Sequence, residues 1–277
     1  MPMSQEQLAD YRDRIDWHCE ARPDRATLEE LVERHTRTIA FENIDRLTDK
    51  LLDLSLDAVV TKLVRGKRGG VCYEQAALFK AVLETVGFEV VGLMARVKWN
   101  VPEGHVNGRS HMALRVDLAE GPVIVDVGFC GQTLTGVLDL VSDVEQSTPH
   151  GPYRLVRERE VWQQEALVLG KWRPIFIFDL QPQLPIDYEI VNWWSATNPK
   201  SQFRKMLVVS RSTPGRRTML HNFDLTTHFI DGPSEHRRLG SAAEVCDIVE
   251  QLFDIRIPDR AKLASRLDEV SGLPEGS

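Results

Sequence analysis

The period of the apolar pattern changes at Gly87, and no all-helical or all-strand fold accommodates that change. Before it, apolar residues recur at helical spacing. Leu28, Leu31 and Val32, with His35, follow a capping Asp24. Val59, Val60, Leu63 and Val64 follow Ser55 and end at Gly66. Phe79, Val82, Leu83 and Val86 follow Cys72 and stop at Gly87, a favourable residue just past a helix end. Ser4 with Gln7 forms a capping box for a further helix to about residue 15. The first 87 residues therefore read as a helical bundle.

From Phe88 the period is two. Residues 90–97, 111–118 and 123–129 read as strands, the last two joined as a hairpin by Glu120-Gly121-Pro122. Three more short strands, at 154–156, 161–169 and 172–178, point to a β-barrel or sandwich. Residues 181–185 lead out of it, and 192–199 read as irregular and aromatic. Strands at 206–211, 217–221 and 225–230 follow, then a helix from the capping pair Ser241 and Glu244 to about residue 253, and finally a polar tail after Val270.

Composition removes several function classes. The formal charge is 34 − 41 = −7 with the two signs interspersed, so the chain lacks the basic stripe of a nucleic-acid surface. No apolar run approaches the roughly 20 residues needed to span a bilayer, and the first residues do not read as a signal peptide. Cys19, Cys72, Cys130 and Cys246 are scattered without a CxxC, which argues against a disulfide framework or a metal centre and for a reduced, cytoplasmic setting.

Chemistry concentrates in Arg68-Gly69-Gly70-Val71-Cys72-Tyr73-Glu74-Gln75. The glycines tolerate positive φ or close backbone approach. They deliver Cys72 to the first turn of a helix, where unpartnered N–H groups and the helix dipole favour a thiolate. Cys72 reads either as a nucleophile or as a small core residue. A polar pair, Glu42-Asn43, sits between Phe41 and Ile44; as a packed loop it needs a cation for Glu42, with Arg68 the candidate, and as a surface loop it needs none.

A catalytic thiol needs a base, and the base needs a partner that fixes its tautomer. Of eight histidines, His111 stands at the mouth of a strand just after a Gly/Asn/Ser loop, whereas His105 lies in the loop itself. Asp126 interrupts Val123-Ile124-Val125-Asp126-Val127, an expensive place for a charge unless it is paired. In the hairpin its partner is His111 or, as a structural pair, Arg115.

With these residues in view the chain resembles an arylamine N-acetyltransferase. Phe41-Glu42-Asn43, the Arg68-Gly69-Gly70-x-Cys72-x-Glu74 element, His111, Val125-Asp126-Val127-Gly128-Phe129, Gly131-Gln132-Thr133 and Ser201-Gln202-Phe203 carry the likeness over almost the whole length. The resemblance implies an α+β fold with a thiol-protease/transglutaminase-like core. Residues 1–87 would form a helical bundle carrying the nucleophile, 88–185 a β-barrel carrying His and Asp, and 186–277 an interdomain segment and α/β lid. It implies a Cys72–His111–Asp126 triad supported by Glu42 and Arg68, acetyl-CoA as cosubstrate, and no metal. The acceptor, an arylamine, arylhydrazine or N-hydroxyarylamine, would lie in an apolar slot of Phe41, Tyr73, Val97, Phe129 and Phe203. Residues Gly128, Gly131, Gln132 and Thr133 would let the CoA pyrophosphate approach the backbone. The same triad would also serve a macrolactam-forming amide synthase or a transglutaminase-like thiol hydrolase. Cys130 replaces a glycine common in the family and raises the idea of an inactivating disulfide with Cys72.

Overall fold

A computed structural model describes residues 3–271; the polar tail, apart from Ser271, lies outside the described residues. The first helices are α1 (Gln5–Arg14) and α2 (Arg25–Thr38), capped by the Ser4 and Asp24 side chains. A two-residue strand β1 (Phe41–Glu42) and a single helical turn α3 (Ile44–Leu47) follow. Then come α4 (Leu56–Val59), which continues as a π-helical turn Val60–Arg65, and α5 (Cys72–Val86). Gly87 ends α5 at φ 109°, a left-handed conformation in which its N–H caps the carbonyls of Leu83 and Glu84.

Eight strands make the next layer: β2 (Glu89–Val97), β3 (Arg109–Leu118), β4 (Gly121–Val125), β5 (Leu138–Asp139), β6 (Glu145–Thr148), β7 (Gly151–Glu158), β8 (Val161–Val168) and β9 (Lys171–Phe178). Their order is β5-β4-β3-β2-β9-β8-β7-β6, and a bridge from Ser142 to Leu155 brings the two ends together, so the sheet nearly closes into a barrel. One face of β3 and β4 packs against the helices through Met112, Leu114, Val116, Val123 and Val125. The other face joins Phe129, Tyr153, Trp162, Phe176 and Phe178 in the barrel interior.

After the barrel come α6 (Pro185–Thr197) and a 3₁₀ turn Gln202–Arg204. Strands β10 (Val208–Thr213), β11 (Arg216–His221), β12 (Asp224–Phe229) and β13 (Glu235–Arg238) then form an antiparallel sheet whose far edge is β1 from the helical region. Helices α7 (Ala242–Gln251) and α8 (Arg260–Ser271) cover it. Among the described residues no helix is long and apolar enough to cross a membrane.

Two expectations are corrected. The strand expected at 123–129 ends at Val125, so Asp126 is the first residue beyond the ladder rather than a mid-strand charge. The stretch 192–199, read as irregular, is largely the end of α6. Its apolar residues Ile186, Ile190, Trp193 and Trp194 point to solvent, so their spacing does not mark a buried stripe. The helix start is instead set by Pro185 in the first turn and by Asp187, whose carboxylate accepts from the Leu184 N–H at 2.8 Å.

Candidate active site

Cys72 is the first residue of α5, and the turn before it is held by close contact. A Cβ on Gly69 would lie 2.2 Å from the Ala40 carbonyl oxygen, so only glycine fits against that backbone. The Val71 N–H donates to Glu74 Oε2 at 3.0 Å, closing the first turn. Gln75 donates to the carbonyls of Ala40 and Gly70 at 3.1 and 3.2 Å, and its Oε1 lies 2.9 Å from the buried His35 ring. From the other side Gly128 presses on the nucleophile turn: a Cβ there would meet Cys72 Cα at 2.8 Å. The Cys72 side chain lies in this enclosure with Sγ 3.9 Å from the Ser110 carbonyl.

His111 and Asp126 meet across the β3–β4 hairpin. Asp126 directly follows the last residue of β4, and its Oδ2 lies 2.8 Å from His111 Nε2. Its Oδ1 accepts from the Gly128 N–H at 3.0 Å, which fixes the carboxylate. Arg115 turns away to Asp117 at 2.9 Å. The imidazole is buried between Phe129 and Phe176, with ring centroids 5.1 and 5.0 Å away. Burial alone would strip its proton. The Asp126 charge and hydrogen bond, with a smaller contribution from a hydrogen bond to Cys72, outweigh burial and raise its pKa to about 10.

Beneath the site lies a sealed ionic cluster. Arg68 reaches Glu42 at 2.6 Å and Asp45 at 2.8 Å, and Lys62 reaches Asp45 at 2.9 Å and Glu74 at 2.8 Å. Burial opposes the Asp45 charge, but Lys62 and Arg68 overcome it and hold that carboxyl below its ordinary range. The cluster ties four pieces together: β1 through Glu42, α3 through Asp45, the π-helical turn through Lys62 and the start of α5 through Glu74.

The five slot residues do not share one wall. Phe41 and Phe203 pair at 5.9 Å. Phe129 lies edge-on to His111, and Val97 packs on the barrel core. Tyr73 packs instead toward α6, where its ring lies 6.0 Å from Tyr188 and lines a cavity of about 800 Å³ between α5, β2 and α6. Cys72, His111 and Asp126 do not line that cavity. In the segment expected to meet CoA, Gly131 N–H donates to Ser210 Oγ at 3.0 Å and Gln132 N–H to the Cys130 carbonyl at 2.9 Å. The Thr133 hydroxyl donates to the Phe129 carbonyl. Two backbone donors of that segment, besides the Gly128 N–H, are thus already used.

Sequence reasoning missed several polar residues here. Lys62 carries a signal, a charge between Val60, Leu63 and Val64. Asn43, marked only as half of a polar pair, clamps the carbonyls of Phe203 and Met206 at 2.9 and 2.8 Å and accepts from the Val208 N–H at 2.7 Å, partners 160 to 165 residues away that no local pattern marks. Arg217, buried on β11, donates to the Thr133 carbonyl at 2.7 Å and Tyr153 Oη at 3.0 Å. Arg46, in α3, is equally unmarked. Among the described residues no group of His, Cys, Asp and Glu side chains is arranged to hold a metal ion.

A family model described as N-acetyltransferase matches residues 24–262. The arylamine N-acetyltransferase of Mycolicibacterium smegmatis is 40% identical over 269 residues, covering 95% of this chain and 98% of that protein. The chain belongs to the arylamine N-acetyltransferase family. The family's Escherichia coli (strain K12) enzyme is 38% identical over 266 residues, with 95% and 94% covered. A solved M. smegmatis arylamine N-acetyltransferase superposes with a TM-score of 0.92 at 39% identity, covering 96% of this chain and 99% of that one. The Mycobacterium marinum arylamine N-acetyltransferase in complex with CoA gives 0.92 at 34% identity, with 95% and 99% covered.

Proposed function

We propose that the chain transfers an acetyl group from acetyl-CoA to an arylamine, arylhydrazine or N-hydroxyarylamine through an acetyl-Cys72 intermediate. The observation that carries this reading is the sealed His111–Asp126 pair beside a cysteine at a helix start, in a chain of this family. The CoA complex of the M. marinum relative supports the donor.

The chemistry follows from the charges. In the reactive pair the Cys72 proton resides on His111, which Asp126 stabilises as imidazolium, leaving the sulfur as nucleophile. The sulfur attacks the thioester carbonyl, a new C–S bond forms, the bond to CoA sulfur breaks, and the leaving thiolate takes the proton. N–H groups at the start of α5 face the developing oxyanion. The acceptor amine then attacks acetyl-Cys72, His111 accepts its proton, and the thiolate leaves. Gly128–Thr133 contributes a low wall for the cosubstrate more than a row of free donors, because the N–H groups of Gly128, Gly131 and Gln132 have internal acceptors.

Initial rates measured while both substrates vary test the scheme. Parallel double-reciprocal lines are expected, and intersecting lines, the mark of a ternary complex, contradict it.

A further inference from the structure

The cavity between α5, β2 and α6 is walled in part by two buried hydroxyls that the protein does not satisfy. It measures about 800 Å³, within the roughly 300–1,000 Å³ of clefts that take small organic ligands. Tyr73 is 1% exposed and Tyr188 7%, and neither Oη has a hydrogen-bond partner among the described residues. A buried hydroxyl without a partner is destabilising, so a pair of them on one cavity wall has a reason. The place of the Tyr188 hydroxyl is built into the sheet: a Cβ at residue 92 would lie 2.5 Å from it, and glycine stands there. Burial raises both phenols above their ordinary range, so each keeps its proton and can donate. Much of the remaining wall is apolar, with Ala81 and Met112 on the inner side. Leu51, Leu184 and Trp193, each more than half exposed, line the outer side and make an apolar mouth. The charged lining residues are the acids Asp53, Glu84 and Glu189 against Lys80, which pairs with Glu84. That negative balance repels phosphates and carboxylates.

We infer that this cavity is a second binding site, for an uncharged and largely apolar molecule whose carbonyl oxygen accepts from the Tyr73 and Tyr188 hydroxyls. A carbonyl offers two lone pairs and brings no donor that the wall would have to satisfy. The apolar body of the molecule covers the inner wall and leaves past Trp193. Cys72, His111 and Asp126 do not line the cavity, so its occupant is a ligand and not the acetyl acceptor.

The probe is 6-propionyl-2-(dimethylamino)naphthalene, a fluorescent aryl ketone whose emission moves to the red when its carbonyl accepts a hydrogen bond. Its amine is tertiary and cannot be acetylated. Fluorescence titration of the whole chain is expected to give saturable one-to-one binding that persists after Cys72 is alkylated with iodoacetamide. Tyr73→Phe and Tyr188→Phe are each expected to weaken it by about two- to tenfold, the worth of one hydrogen bond, and to move the bound emission to the blue. Ala77→Trp fills the cavity from α5 and is expected to abolish binding while acetyl transfer keeps its ordinary rate. No saturable binding overturns the inference, and so does binding that survives in Ala77→Trp or that neither phenylalanine variant changes. Binding removed by alkylation of Cys72 places the probe in the acceptor slot and overturns it as well. Thermal melting separates binding from folding: loss of an unsatisfied hydroxyl is expected to leave Tm unchanged or raised. A Tm lowered in both phenylalanine variants shows hydroxyls that are satisfied in the free protein, which also overturns the inference.

Discussion

His111 Nε2 and Asp126 Oδ2 stand 2.8 Å apart with both side chains closed to solvent. A neutral pair in that setting would sit poorly, so the imidazolium–carboxylate form dominates through neutral pH, with the His111 pKa raised to about 10 against burial. Asp126→Asn keeps the shape and removes the charge. The rate of Cys72 acylation by acetyl-CoA is expected to fall by about 10³–10⁴-fold, as for other triads that lose this carboxylate. Stopped-flow measurement of CoA release in the first turnover reads it.

His35 titrates in the opposite sense. It lies between Tyr11 Oη and Gln75 Oε1, each at 2.9 Å, and burial lowers its pKa to about 4. The folded state therefore refuses a proton that the unfolded chain takes near pH 6.5. Stability is fully present above pH 6.5 and falls as pH drops toward 4, by about 3 kcal/mol over that interval. Thermal unfolding of the chain and of His35→Gln at pH 7 and pH 5 checks this: the melting temperature of His35→Gln is expected to fall less.

Removing one cation from the ionic cluster strands its acids. Arg68→Met leaves Glu42 with Lys62 at 3.8 Å as its nearest cation, and Asp45 with Lys62 at 2.9 Å and the more exposed Lys50 at 3.9 Å. The expected loss is about 3–5 kcal/mol in urea unfolding, the cost of breaking a buried pair. Loss of acylation should accompany it, because Glu42 and Asp45 hold the loop against which Gly69 and Gly70 pack.

Cys130 offers a poor route to oxidative inactivation. Burial pushes its thiol up to about 12, beyond the help of its bond with Ser210, so it stays protonated and slow to attack an oxidised Cys72. Peroxide should inactivate Cys130→Ala and the unaltered chain at the same rate. A several-fold slower loss in the variant would restore the disulfide.

What the sequence made legible was local. The helix from Cys72 to its left-handed stop at Gly87, the β3–β4 hairpin, and the capping serines at positions 4, 55 and 241 all follow from neighbours within a few residues. His111 and Asp126 are 15 residues apart in the chain, close enough for a hairpin to relate them. Interactions set by the tertiary fold were not legible. α6 shows its tryptophans to solvent, β1 is two residues that pair with a strand almost 170 positions away, and Arg46 meets Phe203 and Asn192 only through the tertiary fold.

Intact-protein mass spectrometry after mixing with acetyl-CoA and no acceptor reaches the central claim directly. The account predicts a gain of about 42 Da, the mass of one acetyl group, mapped by peptide analysis to Cys72 and lost when an arylamine is added. An unchanged mass in folded protein, or an acetyl group that maps elsewhere and survives the amine, would contradict it.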